Sequence, residues 1–299
     1  MAVLIPEHCE LCPRRCGADR RTQTGRCGAG NTLRAARAAL HRWEEPCISG
    51  EDPERGSGTV FFCGCTLGCV FCQNGVISHG GEGKKITTER LAEVFLALQA
   101  QGAYNINLVT PTQYLPWILE ALNLCRERLA IPVLYNTGGY ERVEILRLLE
   151  GRVQIYLPDL KYYDSALSAR YSAAPDYFAV AAQALREMFR QVGPVRFDEN
   201  GMLQSGMVRH LVLPGAHKDS LRLLNWLADN FSPEDIRLSL MSQYTPPAGI
   251  AIRELQRPIF TYEYRKACER AEELGFLGYT QQRSSADAAY TPPFDGTGL

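Results

Sequence analysis

The chain has 299 residues and a formal net charge of -1, with 32 Lys and Arg residues against 33 Asp and Glu residues. This balance excludes strong bulk attraction to nucleic acid, so we expect no nucleic-acid partner. No apolar run approaches the roughly 20 residues of a membrane span, so we expect no membrane association. At this length the chain can bury a full hydrophobic core.

The sequence predicts three parts: a cysteine-rich extension at residues 1–56, a core at 57–280 and a tail at 281–299. The extension lacks the basic and apolar regions of a secretory signal peptide at its start. The eleven cysteines fall mostly into short-spaced sets, which are typical of metal or redox chemistry in a reducing compartment. We therefore expect a cytoplasmic protein. The tail is rich in small residues and proline, and we expect it to be extended or poorly ordered.

Four cysteines of the extension, Cys9, Cys12, Cys16 and Cys27, have the spacing of a metal site. Four closed thiolates are the usual ligands of structural zinc. The Cys12-Pro13 step is also found in ferredoxin clusters, although the spacing matches no ferredoxin run well. The sequence thus predicts a metal site here and leaves zinc and an iron–sulfur cluster both open.

The core alternates between apolar runs and amphipathic stretches. It predicts strands at 59–63, 105–110, 132–136, 153–160, 207–213 and 236–242, and helices at 89–101, 115–129, 141–149, 177–191, 219–229 and 261–274. Thr88 is the expected N-cap of the first of these helices. Because several strands are nearly continuous apolar runs, we expect a parallel sheet, either doubly wound or a partial barrel. Ligands of such folds bind at the carboxyl ends of the strands.

A dense cysteine loop follows the first of these strands. Residues 64–72 read GCTLGCVFC and contain Cys65, Cys69 and Cys72. All-sulfur ligation at this spacing suits an iron–sulfur cluster or zinc. Structural zinc prefers four closed ligands, so three thiolates on one loop favour a 4Fe-4S cluster. Its fourth iron would be open to a substrate or cofactor.

This loop, with Phe71 before its last cysteine, resembles the signature of radical S-adenosylmethionine (SAM) enzymes. Further stretches are similar to proteins related to pyruvate formate-lyase activating enzyme, among them CELCPRRCGADR, FFCGCTLGCVFCQN, NINLVTPT, YNTGGYE, IYLPDLKYYD, VRHLVLPG and MSQY. The resemblance implies an α/β fold, a partial (β/α)6 TIM-like barrel, with a 4Fe-4S cluster and SAM as cofactors. In that family the reduced cluster cleaves SAM, and the resulting 5'-deoxyadenosyl radical removes a hydrogen atom from the substrate.

The resemblance also implies which residues bind SAM. They are Phe71, Thr110, Thr112, Asn136, Thr137, Asp159, Lys161, Arg209 and Gln243. Thr110 and Thr112 are expected to bind the SAM amino group, in preference to the GGEG sequence at 80–83, which we interpret as a flexible loop. Arg209 is expected to pair with the SAM carboxylate, which suits its forked guanidinium. No protein side chain is assigned a catalytic role.

Two of these positions depart from the family pattern. Asn136 stands where the activating enzymes have an aspartate that helps to form a cation site, so a bound monovalent cation beside SAM is left open. Gln243 stands near the place of a SAM-contacting histidine. Asp159 and Lys161 match the family, and they lie two residues apart on one face of their strand.

The first functional hypothesis is a radical SAM oxidoreductase that forms a glycyl radical on a partner protein. The alternative is radical modification of a small molecule or a different macromolecule, and a third interpretation is a non-catalytic iron–sulfur electron carrier. The expected partners are SAM, an external one-electron reductant such as flavodoxin or ferredoxin and, for the first hypothesis, a glycyl-radical protein.

Overall fold

The computed structural model describes residues 3–80, 83–281 and 291–299. Its strands are β1 (Arg34–His41), β2 (Gly56–Phe62), β3 (Lys84–Lys85), β4 (Ala103–Val109), β5 (Val133–Thr137), β6 (Ile155–Pro158), β7 (Met207–Leu211), β8 (Arg237–Met241) and β9 (Leu277–Thr280). Its helices are α1 (Pro46–Ser49), α2 (Gly75–Gly80), α3 (Thr88–Ala100), α4 (Leu115–Cys125), α5 (Val143–Leu146), α6 (Ser165–Ser172), α7 (Tyr177–Val192), α8 (His217–Asn230) and α9 (Thr261–Glu273).

Most of the strands form a parallel wall. β2, β4, β5 and β6 pair in parallel, and so do β7, β8 and β9. Parallel bridges from Tyr156 to Gly206 and from Asp159 to Arg209 join β6 to β7 and so link the two sheets. Every residue of β2 is buried, as expected for a strand covered on both faces. The expected partial TIM-like barrel is confirmed.

The amphipathic helices pack against this wall. The apolar face of α3 buries Leu91, Val94, Phe95 and Leu98 in a core shared with α4 and the neighbouring strands. All six predicted strands and all six predicted helices are present, with shifted ends. The helix predicted at 141–149 is shorter, because α5 passes into a 3-10 turn at Arg147–Leu149.

The antiparallel strands β1 and β3 were not predicted. β1 pairs with β2, and β3 pairs with β1. The β1 sequence RAARAALH lacks β-branched residues, so its composition favours a helix. Its conformation is decided by pairing with the edge of β2.

Residues 291–299 of the tail, which was expected to be extended or poorly ordered, pack on β1. The Ala38 N–H donates to the Thr297 carbonyl at 2.9 Å, and the Gly296 N–H donates to the Ala36 carbonyl at 2.8 Å. Phe294 packs edge-on against Phe61 of β2. The part of the tail at 282–290 lies outside the described residues.

The N-cap of α3 is Thr87, not Thr88. The Thr87 hydroxyl accepts a hydrogen bond from the Arg90 N–H at 3.1 Å, whereas Thr88 is the first helical residue and is buried. We expect Thr87→Ala to lower the free energy of unfolding by about 1 kcal/mol, because one N–H of the first turn loses its acceptor. Denaturant unfolding measures this change, and Thr87→Ser serves as the control because it keeps the hydroxyl. Equal midpoints for the two variants would contradict the assignment.

Candidate active site

A cleft of about 250 Å³ opens at the carboxyl ends of the strands. It brings together nearly all of the residues predicted from the sequence. Its lining includes Cys65, Cys69, Phe71, Cys72, Thr110, Asn136, Thr137, Asp159, Lys161, Arg209 and Gln243. These residues come from five different strand ends and the loop after β2, so the barrel gathers them as the position of the motifs predicts.

The three thiols of the cysteine loop each receive a hydrogen bond. The Leu67 N–H donates to Cys65 at 3.4 Å, and the Ser172 and Ser78 hydroxyls donate to Cys69 and Cys72 at 3.0 and 3.3 Å. Burial, together with the neighbouring thiols Cys69 and Cys72, raises the pKa of Cys65 to about 12. Polarised donors of this kind suit sulfurs that carry negative charge in a metal site. The donor set therefore fits three ligands of a 4Fe-4S cluster.

In the described part of the chain, no three or more Cys, His, Asp or Glu side chains lie close enough together to hold a single metal ion. A 4Fe-4S cluster has a different requirement, because each of its thiolates binds a separate iron.

The cysteine loop is held from outside by the N-terminal extension. Arg14 donates to the carbonyls of Thr66 and Leu67, both at 3.0 Å, and to the carbonyl of Ser172 at 2.7 Å. The Cys65 N–H donates to the Cys27 carbonyl at 3.2 Å. Nothing in the sequence marked Arg14 as functional, since its partners lie more than 50 residues away.

The start of the same loop is held by Gln113. Its amide nitrogen donates to the carbonyls of Cys63, Gly64 and Thr110 at 3.1, 3.1 and 2.8 Å. A side chain at Gly64 would bring its Cβ to 2.2 Å from the Cys27 carbonyl, and the residue has a φ of +79°. Glycine is therefore required where the extension crosses the loop.

Just after β6, Asp159 and Lys161 form an ion pair at 2.5 Å. Burial opposes the charged form of Lys161, but the neighbouring Asp159 carboxylate outweighs it and raises the pKa of the amine. Tyr177 fixes this segment, because its hydroxyl accepts from the Lys161 N–H and contacts the Asp159 and Gly138 carbonyls at 2.9 Å. The two side chains thus share the face that the sequence predicted.

The two threonines of the VTPT segment have different surroundings. Thr110 lines the cleft and has a left-handed φ of +56°, an uncommon conformation that costs energy and clusters at functional sites. Thr112 is buried, is not among the cleft-lining residues, and donates its hydroxyl to Glu141 at 2.6 Å. A contact of Thr112 with SAM stays a prediction, and the Thr112 hydroxyl would have to leave Glu141 to donate to SAM. Of the alternative GGEG sequence at 80–83, residues 81 and 82 lie outside the described residues.

Glu141 is a buried carboxylate that the sequence analysis missed. It accepts hydrogen bonds from the hydroxyls of Thr112 and Thr137. Burial outweighs these bonds and raises the pKa of Glu141 to about 7. Glu141 therefore positions Thr137 at the cleft, and a single Glu after a glycine pair gives no sequence signal for that role.

Arg209 lines the cleft as predicted, but its guanidinium already contacts two carboxylates. Its Nε donates to Glu45 at 2.9 Å, and its terminal nitrogen donates to both Glu44 and Glu45. A pairing of Arg209 with the SAM carboxylate remains a prediction, and it would have to compete with these two side chains.

Comparison with known proteins agrees with this geometry. The family model of the radical SAM superfamily matches residues 59–199, which include the cysteine loop and the Asp159–Lys161 pair. Residues 59–199 therefore match the radical SAM superfamily. An uncharacterised protein of Methanocaldococcus jannaschii is 29% identical over 287 residues, which cover 91% of this chain and 77% of that protein.

Two solved structures share the fold of the radical SAM domain. A radical SAM methyltransferase from Sphaerobacter thermophilus aligns with a TM-score of 0.53 and 16% identity, over 77% of this chain and 67% of the methyltransferase. Streptococcus suis SuiB bound to S-adenosylmethionine aligns with a TM-score of 0.52 and 15% identity, over 73% of this chain. The alignment spans 48% of the SuiB chain, about half its length.

The N-terminal cysteines approach one another beside the radical SAM domain. Gly25 lies between Cys16 and Cys27, whose sulfurs are 3.4 and 3.5 Å from the position of a Cβ there. Burial raises the pKa of Cys12 to about 12, and the nearby thiols of Cys27 and Cys9 add to the effect. Each of the eleven cysteines lies in the described part of the chain, and each is free of disulfides.

Within residues 3–80, 83–281 and 291–299, no helix combines the length and the apolar composition that crossing a bilayer requires.

The role of Arg14 can be tested with its neighbour as a control. We expect Arg14→Met to lower the free energy of unfolding by about 2 kcal/mol and to weaken retention of the cluster, because carbonyls of the cysteine loop lose a charged donor. Arg15→Met removes the same charge from an exposed side chain and should change neither property. Denaturant unfolding and iron content after gel filtration measure both. Equal stability and equal iron content of Arg14→Met and Arg15→Met would contradict the role of Arg14 in supporting the cysteine loop.

Proposed function

We propose that this protein is a radical SAM enzyme whose cleft binds a 4Fe-4S cluster and SAM side by side. The observation that carries the proposal is the convergence of Cys65, Cys69 and Cys72 with 17 other polar and aromatic residues in one cleft at the strand ends. Bound together, these two groups supply reductive cleavage of the sulfonium and abstraction of a hydrogen atom from a substrate.

The protein's own residues position and shield these groups. Cys65, Cys69 and Cys72 would hold three irons and leave the fourth for SAM. Phe71 packs edge-on against Tyr162, Tyr171 and Tyr244, and this aromatic cluster excludes water beside the last cysteine. Exclusion of water strengthens the polar contacts of a closed site and protects a reactive radical from side reactions.

Polar side chains around the cleft would orient SAM. Thr110 and Asn136 stand at adjacent strand ends, where the Thr110 N–H donates to the Asn136 carbonyl at 2.9 Å. The Asp159–Lys161 pair faces them, and Gln243 is held by a hydrogen bond from Gln281 at 2.9 Å. We propose that Thr110, Asn136, Thr137, Asp159, Lys161 and Gln243 bind SAM, and the pairing of Arg209 with the SAM carboxylate stays a prediction.

Sequence resemblance favours the backbone glycine of a partner protein as the hydrogen donor, and an external flavodoxin or ferredoxin as the reductant. A second candidate, a small charged molecule, is favoured by the ionic floor of the cleft at Arg209 and Glu44. We place the protein in the cytoplasm, because its unpaired, closely spaced cysteines suit a reducing compartment.

Anaerobic reconstitution tests the central proposal. We expect the reduced, iron-loaded protein to give an EPR signal that changes when SAM is added, and to release 5'-deoxyadenosine. The triple Cys65→Ala, Cys69→Ala and Cys72→Ala variant should lose both, because the three thiolate ligands are gone. An EPR signal unaffected by SAM, together with no 5'-deoxyadenosine, would refute the proposal.

We further propose that Cys9, Cys12, Cys16 and Cys27 hold a second metal centre that stiffens the extension next to the cysteine loop. The Cys65, Cys69 and Cys72 triple variant should then still contain zinc or iron after purification. A separate double variant, Cys9→Ala with Cys12→Ala and the other cysteines unchanged, should lose the metal of the second centre and keep the SAM-responsive EPR signal. Elemental analysis of the variants measures the metal and distinguishes zinc from iron. A triple variant free of both metals would contradict the second centre.

A further inference from the structure

The floor of the cleft is formed by the segment that follows β1. The last residue of β1, His41, pairs with Ser57 near the amino end of β2, so the chain continues at the side of the barrel opposite the cysteine loop. From there, α1 buries Cys47 and Ile48 against residues of β5, β6 and β7. Glu44 and Glu45 precede α1 and reach Arg209 on β7, and Glu44 lines the cleft.

This floor carries more negative than positive charge. Arg209, Glu44 and Glu45 are only 10, 11 and 9% exposed at their side chains, and one guanidinium neutralises one of two carboxylates. Burial acts against the charged form of Glu44, but Arg209 overcomes it and lowers the pKa of that carboxyl, so Glu44 is ionised. A buried uncompensated charge is costly, which indicates that a ligand supplies the missing cation.

Neighbouring charged groups leave this excess in place. Burial lowers the pKa of His41, so its ring is neutral near pH 7. The Lys161 amine is paired with Asp159, and the Arg37 guanidinium is paired with Asp295. The positive charges of Lys161 and Arg37 are therefore balanced by carboxylates of their own, and the neutral His41 ring adds no positive charge.

Asn107 on β4 provides a second, independent observation. It is fully buried, and its amide nitrogen donates to Glu44 at 3.0 Å. Its carbonyl oxygen Oδ1 has no hydrogen-bond partner. An unsatisfied buried acceptor costs about 1–3 kcal/mol, so such atoms are expected to meet a donor in the functional state. A carboxylate with an unpaired amide oxygen beside it is suited to a group with several N–H donors.

Aromatic side chains complete the surroundings. Trp43, Phe61 and Tyr244 line the same cleft as Glu44. Aromatic faces attract cations and exclude water from their alkyl stems. The cleft therefore joins a carboxylate floor to aromatic walls, a combination that favours an amine or guanidine over an anion.

We propose that Glu44 and Asn107 bind a cationic nitrogen, an ammonium or guanidinium group, of the substrate at the floor of the cleft. The assignment of this group to a substrate rests on the proposed radical SAM function. SAM also carries an ammonium, but that group is assigned to Thr110, three residues beyond Asn107 at the carboxyl end of β4. Glu44 then selects the substrate and holds it with its alkyl portion toward the cysteine loop.

Calorimetric binding to the reconstituted protein saturated with SAM tests the proposal. The probes are n-butylammonium and n-butylguanidinium, with n-butanol as the neutral control. We expect at least one cation to bind and n-butanol not to bind. Glu44→Gln should weaken that binding tenfold or more, because it keeps the shape of the side chain but loses its charge.

Glu51→Gln is the matched control, since it removes the same charge from an exposed side chain outside the cleft lining. We expect it to leave binding unchanged. Equal losses in the two variants, equal binding by wild type and Glu44→Gln, or binding of n-butanol would overturn the proposal. Displacement of the cation by SAM would overturn its assignment to the substrate.

Circular dichroism and the SAM-responsive EPR signal show that each variant is folded and loaded. If the cations fail to bind while SAM still changes the EPR signal, the substrate inference fails and the proposed radical SAM function stands. If SAM has no effect on the EPR signal, the proposed function itself fails.

Discussion

Three thiols on a short loop repel one another once they are ionised, so the loop that carries them needs support from outside itself. That support is a set of hydrogen bonds to its backbone. Arg14 holds the carbonyls of Thr66 and Leu67, and Gln113 holds those of Cys63 and Gly64. A cluster site is only as well defined as the backbone that presents its ligands. The rest of the cleft is built around this fixed loop.

The N-terminal extension consequently has two structural roles at opposite ends of the barrel. Its first part crosses the cysteine loop through Arg14 and the Cys27 carbonyl. Its last part enters the amino end of the barrel through Glu44 and Glu45, which bind Arg209. One segment therefore shapes both the side of the cleft that would hold the cluster and the floor that would meet the substrate.

The charge arrangement separates the two ends of the cleft. The Asp159–Lys161 pair is balanced and lies toward the cysteine loop, whereas the Arg209 cluster has one carboxylate in excess. SAM carries a carboxylate, an ammonium and a sulfonium, so paired groups suit its orientation. A floor with excess negative charge suits a different, cationic group. This difference in charge is the physical basis of the proposal that cofactor and substrate bind at different places in the cleft.

The sequence by itself determined the features that depend on neighbouring residues. Apolar runs predicted all six core strands, helical periodicity predicted six helices, and the cysteine motif identified three thiols that line the cleft. The antiparallel β1, the N-cap at Thr87 and the engagement of Thr112 by Glu141 were decided by tertiary contacts. Arg209 and Glu45 are 164 residues apart, and Arg14 and Thr66 are 52 apart. The local sequence pattern indicates whether a residue is buried and on which face of its helix or strand it lies. The partner of a buried polar group depends instead on which distant segments the closed barrel brings together.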